Sequence, residues 1–105
     1  MVVDVATSDA AIAGFVAACD AAIGEARKLQ TAYEAAGDRR AALAGRAAEL
    51  LAGRRDDALA GTLHRPSSGV ALGFSRFIGD VEWGPEGRAL LDAAYAAERY
   101  WKQEM

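Results

Sequence analysis

The sequence predicts an all-α fold, a small helical bundle of about four helices built on a long antiparallel helical hairpin. Three observations carry that expectation. Alanine, the best helix former, is dense from Ala6 to Ala60, absent from Leu72 through Arg88, and dense again from Ala89 to Ala97. Apolar residues recur at helical steps through most of the chain. The breaks between the periodic segments are short and carry glycine, proline and serine, so successive helices must fold back on one another.

The first helix begins at Ser8 as N-cap, with Asp9 in the first turn, where the helix dipole favours an anion, and it stops at Gly37. Its expected span is about 28 residues, or roughly 42 Å. Ile12, Phe15, Val16, Cys19, Ile23, Ala26 and Tyr33 form one apolar stripe, interrupted near its end by Gln30. A second stripe of small residues, Ala13, Ala17, Ala21 and Gly24, runs down another side. It reads either as a second contact face or as good helix formers turned to water.

The turn Gly37-Asp38 makes the second helix an antiparallel neighbour of the first, running to about Gly61. Ala41, Ala44, Ala48 and Ala52, flanked by Leu51 and Leu59, share a face that another backbone can approach closely. Arg39, Arg46 and Arg54 lie on the other side with Leu43 and Leu50 between them, a basic strip that is a candidate docking surface. Gly37, Gly45, Gly53, Gly61 and Gly69 recur at a constant interval, but that interval is not a multiple of the helical turn, so they mark no repeat. Gly45 and Gly53 each cost about 1 kcal/mol relative to alanine inside a helix.

The stretch from Leu63 to Gly69 is the main loop, because Pro66 disfavours helix at Arg65 and Ser67 or Ser68 can cap the next helix. Val70, Phe74, Phe77, Ile78 and Val81 then favour a short amphipathic helix, although Val70, Leu72 and Phe74 also fit an alternating strand. Pro85 suits the first position of the last helix, which runs nearly to Met105. Leu90, Ala94, Ala97 and Trp101 form its core stripe, and the pairs Arg88/Asp92 and Glu98/Lys102 suit a solvated outer face.

At 105 residues the chain has room for one core, so residues 1–105 are expected to form a single domain. Charged residues at 26% and hydrophobic residues at 52% argue against disorder. Fifteen acidic against twelve basic side chains give a net charge of -3, which argues against nucleic acid as a partner. No stretch approaches the roughly 20 apolar residues of a membrane span. A lone cysteine, Cys19, permits no internal disulfide and suits a reducing cytoplasm. The run Val16-Ala17-Ala18-Cys19 has the look of a lipoprotein signal, but Met1 to Asp9 supplies no positive charge, and the helical reading is preferred.

No motif points to catalysis or to a cofactor. His64 is the only histidine, which rules out paired-histidine zinc sites, and Asp56 and Asp57 serve better as charge partners for Arg54 and Arg55 than as metal ligands. Cys19 falls on the apolar stripe of the first helix, where a cysteine acts as a small hydrophobe. Ser67 and Ser68 stand near His64 without a third orienting residue, so no triad is expected. The sharpest ligand candidate is an anion site at Arg65, Ser67, Ser68 and Gly69, ahead of a helix start with free backbone N–H groups.

On the last helix, Tyr95 and Tyr100 turn away from the core stripe on opposite sides, so with Trp101 they are candidates for a partner-binding surface. The tail Tyr100-Trp101-Lys102-Gln103-Glu104 resembles the C-terminal export signal of the small helical-hairpin secreted proteins of the WXG family. Their Trp-x-Gly turn has no counterpart at Gly37-Asp38, and membership is not assigned. The expected function is that of a non-enzymatic protein-protein interaction module: an adaptor, a regulator, or a neutralising protein of the immunity or antitoxin kind. The rival is a helical protein that binds a small anion at residues 64–69. The length of the first helix and its second stripe add the expectation of a homodimer.

Overall fold

The computed structural model describes residues 8–64, 66 and 72–105. It is an all-α small bundle: α1 spans Asp9–Ala35, α2 Arg40–Ala60 and α3 Arg88–Glu104, with a π-helical turn at Phe74–Ile78 and a 3-10 turn at Pro85–Gly87 between α2 and α3. Among the described residues there is no strand.

The ends of α1 follow from local chemistry. Ser8 Oγ accepts from the Ala11 N–H at 3.0 Å, with Asp9 in the first turn. At the other end Gly37 takes φ 68, and the Gly37 and Asp38 N–H groups donate back to the Glu34 and Tyr33 carbonyls at 3.1 and 2.8 Å, a Schellman closure. Asp38 then opens α2, its Oδ1 accepting from the Arg40 N–H at 2.8 Å while Arg40 Nη2 donates to Oδ2 at 2.7 Å. That fork holds the Asp38 carboxyl down at about 2. α2 continues unbroken through Gly45 and Gly53 and closes on left-handed Gly61, with φ 77.

α1 packs against both α2 and α3. Its buried side chains are Phe15, Cys19, Ala22, Ala26, Leu29 and Tyr33; those facing them include Ala44, Ala47, Ala48 and Leu51 of α2 and Leu90, Ala94, Ala97 and Trp101 of α3. The alanines let α1 and α2 approach closely. Most of the large-residue volume comes from Phe15, Leu51, Leu72, Phe74, Ile78, Leu90 and Trp101. Each such side chain contributes about 1.5–3 kcal/mol when fully buried.

Three expectations are corrected. Leu59 is 64% exposed, not on the packed face, because the buried face of α2 centres on Ala47, Leu51 and Ala58 and leaves Leu59 about a quarter turn away. Glu98 is not a solvated partner for Lys102: it is 6% exposed and its Oε1 accepts from the Ser75 N–H at 3.2 Å, satisfying the start of the π turn. The segment expected to be one helix over 70–81 is helical only at Phe74–Ile78 within its described part, since Gly73 at φ 90 sets its start.

Candidate functional site

The clearest built surface among the described residues is a groove of 370 Å³ between α2 and the π turn, lined by Arg46, Leu50, Arg54, Leu72, Gly73, Arg76 and Phe77. On α2, Arg46, Leu50 and Arg54 follow one another at steps of four residues, so they form one sloping ridge. The opposite wall comes from the chain that crosses α2 at Leu72 and turns through Phe77. Leu72 is buried, and Leu50 and Phe77 are half-buried against the core, so the floor is apolar. Three guanidinium groups stand round it.

Those arginines differ in how they are held. Arg54 Nε donates to the Leu72 carbonyl at 3.1 Å and its Nη1 meets Asp57 Oδ2 at 3.3 Å, which fixes it at the rim. Arg46 and Arg76 are exposed, and among the described residues no carboxylate pairs with either. A positive rim over an apolar floor attracts a ligand that combines apolar surface with negative charge.

A hollow of 490 Å³ on α1, lined by Gly24, Arg27, Lys28, Thr31 and Ala32, also sets cations beside apolar surface, but it has no large apolar side chain and its Lys28 is paired with Glu25. Two others lack the combination. The one lined by Arg40, Leu43, Asp80, Val81 and Glu82 mixes signs, and its Arg40 is occupied by Asp38 and by the Glu82 carbonyl at 3.1 Å. Ser75, Tyr95, Glu98, Arg99 and Lys102 line a smaller one of 240 Å³, again of mixed charge. Tyr33, stacked on Trp83 with centroids 6.3 Å apart and capped by Arg40 at 4.6 Å, donates its hydroxyl to Glu86 Oε2 at 2.8 Å. This cluster ties the segment before α3 to the hairpin end, and its polar groups satisfy one another.

The residues singled out from sequence fall into separate places. Arg46 and Arg54 share the groove, while Arg39 sits at the N-cap of α2 and is not part of its lining. Tyr95 is 39% exposed. Tyr100 is half-buried and its hydroxyl donates to the Ala11 carbonyl at 2.9 Å, so it packs within the chain. Trp101 is 1% exposed, with Nε1 donating to the His64 carbonyl at 2.7 Å, and presents no surface to a partner. Arg65, Ser67, Ser68 and Gly69 lie outside the described residues. Sequence reasoning missed Arg76, Leu72 and Phe77 as site residues, because nothing local to 72–77 says that this segment crosses beside Arg46 and Arg54.

Cys19 is fully buried, and burial pushes its thiol up to about 12, so it is no nucleophile in the folded chain. Among the described residues no group of histidine, cysteine, aspartate and glutamate side chains could hold a metal ion. No described helix is long and apolar enough to cross a membrane. No protein-family model matches the chain, and comparison with curated proteins and with solved structures likewise found no match.

Proposed function

We propose that this chain is a non-enzymatic protein-interaction module, acting in the cytoplasm, that docks its partner in the groove between α2 and the π turn. The observation that supports this reading is the rim of Arg46, Arg54 and Arg76 over Leu50, Leu72 and Phe77, a basic apolar surface on a chain whose net charge is -3. Apolar floors framed by arginine are the usual anatomy of a protein contact, where the guanidinium supplies both stacking area and charge.

The test is affinity capture from the source cells with the wild-type chain, Leu50→Asp and the pair Arg46→Glu/Arg76→Glu, with recovered proteins quantified by mass spectrometry. A partner retained by the wild type and lost by both folded variants supports the reading. A partner retained by both variants removes the groove as its docking site.

A second reading, homodimerisation through α1, is favoured by one observation: Ala13, Ala17, Ala21 and Gly24 line a side of a 27-residue helix, and all four are exposed. Small side chains on an uncovered face permit close helix approach. Light scattering that finds only monomer at tens of micromolar, roughly where weak dimers form, contradicts it.

A further inference from the structure

Resting on the docking reading above, we infer that the occupant of the groove is an acidic amphipathic α-helix of a partner protein, with one large apolar side chain seated between two carboxylates spaced a turn to either side of it. Three features lead there. The first is the backbone. The α2 wall has its N–H and C=O groups engaged in helical bonds, and the described residues offer no sheet edge, so an extended peptide finds no ladder to join. An occupant that brings its own satisfied backbone is a helix.

The second is register. Arg46 and Arg54 are two steps of four apart on α2, about 12 Å along its axis, with Leu50 midway. On an incoming helix, side chains four before and four after an apolar anchor span the same distance on one face. The pattern acid-x-x-x-Φ-x-x-x-acid, where Φ is leucine, methionine or phenylalanine, therefore matches the ridge Arg46, Leu50, Arg54 in spacing, with Arg46 unpaired among the described residues and Arg54 offering the Nη2 donors that Asp57 and the Leu72 carbonyl leave open.

The third is the opposite wall. Arg76 stands across the groove from that ridge, beside Phe77, so a carboxylate above the anchor meets guanidinium from two sides. The groove is wide open to solvent and its 370 Å³ lies at the low end for small-molecule pockets, which bury about 70–90% of a ligand's surface. An open, shallow groove favours a helix that lies across it over an enclosed small acid.

The experiment uses the full chain, isotope-labelled for amide NMR, with blocked alanine-based helical peptides carrying Glu-x-x-x-Leu-x-x-x-Glu, the same peptide with Gln for Glu, and the same with Ala for Leu. Dodecanoate is the small-molecule arm. The expected result is that the Glu/Leu peptide shifts amides of α2 and Phe74–Ile78, with Kd raised about tenfold or more by Glu→Gln, by Leu→Ala, by added salt, and by Arg46→Glu/Arg76→Glu in the protein.

Equal binding of the Glu and Gln peptides, no binding of the Glu peptide at millimolar concentration, or occupation of the groove by dodecanoate and not by the peptide would each overturn the inference. Its failure is separable from that of the docking reading. A native partner lost on Leu50→Asp while the acidic peptide does not bind leaves the groove as a docking site and removes the acidic helix as its occupant.

Discussion

The Tyr100 hydroxyl donates to the Ala11 carbonyl across 2.9 Å, joining the end of α3 to the first turns of α1. It reaches that carbonyl because Gly14 stands beside it without a side chain; a β-carbon there would overlap the phenol. The bond explains why Tyr100, although off the core stripe of its helix, packs inside the chain.

Gly14→Ala should therefore destabilise the fold by about 1 kcal/mol or more, since the gain in helix propensity, about 1 kcal/mol, is outweighed by loss of the hydrogen bond and displacement of the ring. Gly24 and Gly53, where an added β-carbon meets nothing within 4 Å, should behave oppositely, each alanine stabilising by about 0.5–1 kcal/mol. Urea unfolding of the three variants checks the contrast; a more stable Gly14→Ala contradicts it.

Trp101→Phe should cost about 1–3 kcal/mol, combining lost ring volume with loss of the bond to the His64 carbonyl, and Trp101→Ala about 3–5 kcal/mol. Calorimetry reads both. A Trp101→Ala chain with unchanged melting would mean that the tryptophan is not in the core.

Asp38 predicts an acid-side loss of stability. Its carboxyl is held at about 2 against an ordinary 3.8, chiefly by the Arg40 guanidinium and backbone N–H. A depressed carboxyl favours the folded state above 3.8, and that contribution fades as pH falls from 3.8 through about 2. Asp38→Asn should flatten the stability profile in that window. A carboxyl carbon titration centred near the ordinary value would contradict the account.

Cys19 should resist alkylation in the native chain at about pH 8 and react fully in denaturant, because its thiol is buried and pushed up to about 12. Rapid native labelling would show that the α1 face carrying it opens.

The hairpin was legible because its signals are local. Ser8, Gly37 and Gly61 act through bonds to residues a few positions away, and the ion pairs Arg54 with Asp57 and Arg55 with Asp56 follow the same short spacing. Leu59 was misread because apolarity alone does not say where the centre of a buried face falls, and here Ala58 takes the inward position at 3% exposure. Glu98 was misread because its partner, the Ser75 N–H, is 23 residues away in sequence. The groove follows the same division. Arg46, Leu50 and Arg54 were visible as a strip on one helix, whereas Arg76 and Phe77 join them only once Gly73 turns the chain across α2.

The most direct test of groove docking is photocrosslinking in the source cells, with a photoreactive phenylalanine placed in turn at Leu50 and at Phe77 of the groove floor, which keeps the arginine rim intact, and at Ala17 on the exposed side of α1. Docking in the groove predicts one shared partner adduct from positions 50 and 77 that is absent from position 17. Adducts from position 17 alone would contradict it and move the interaction surface to α1.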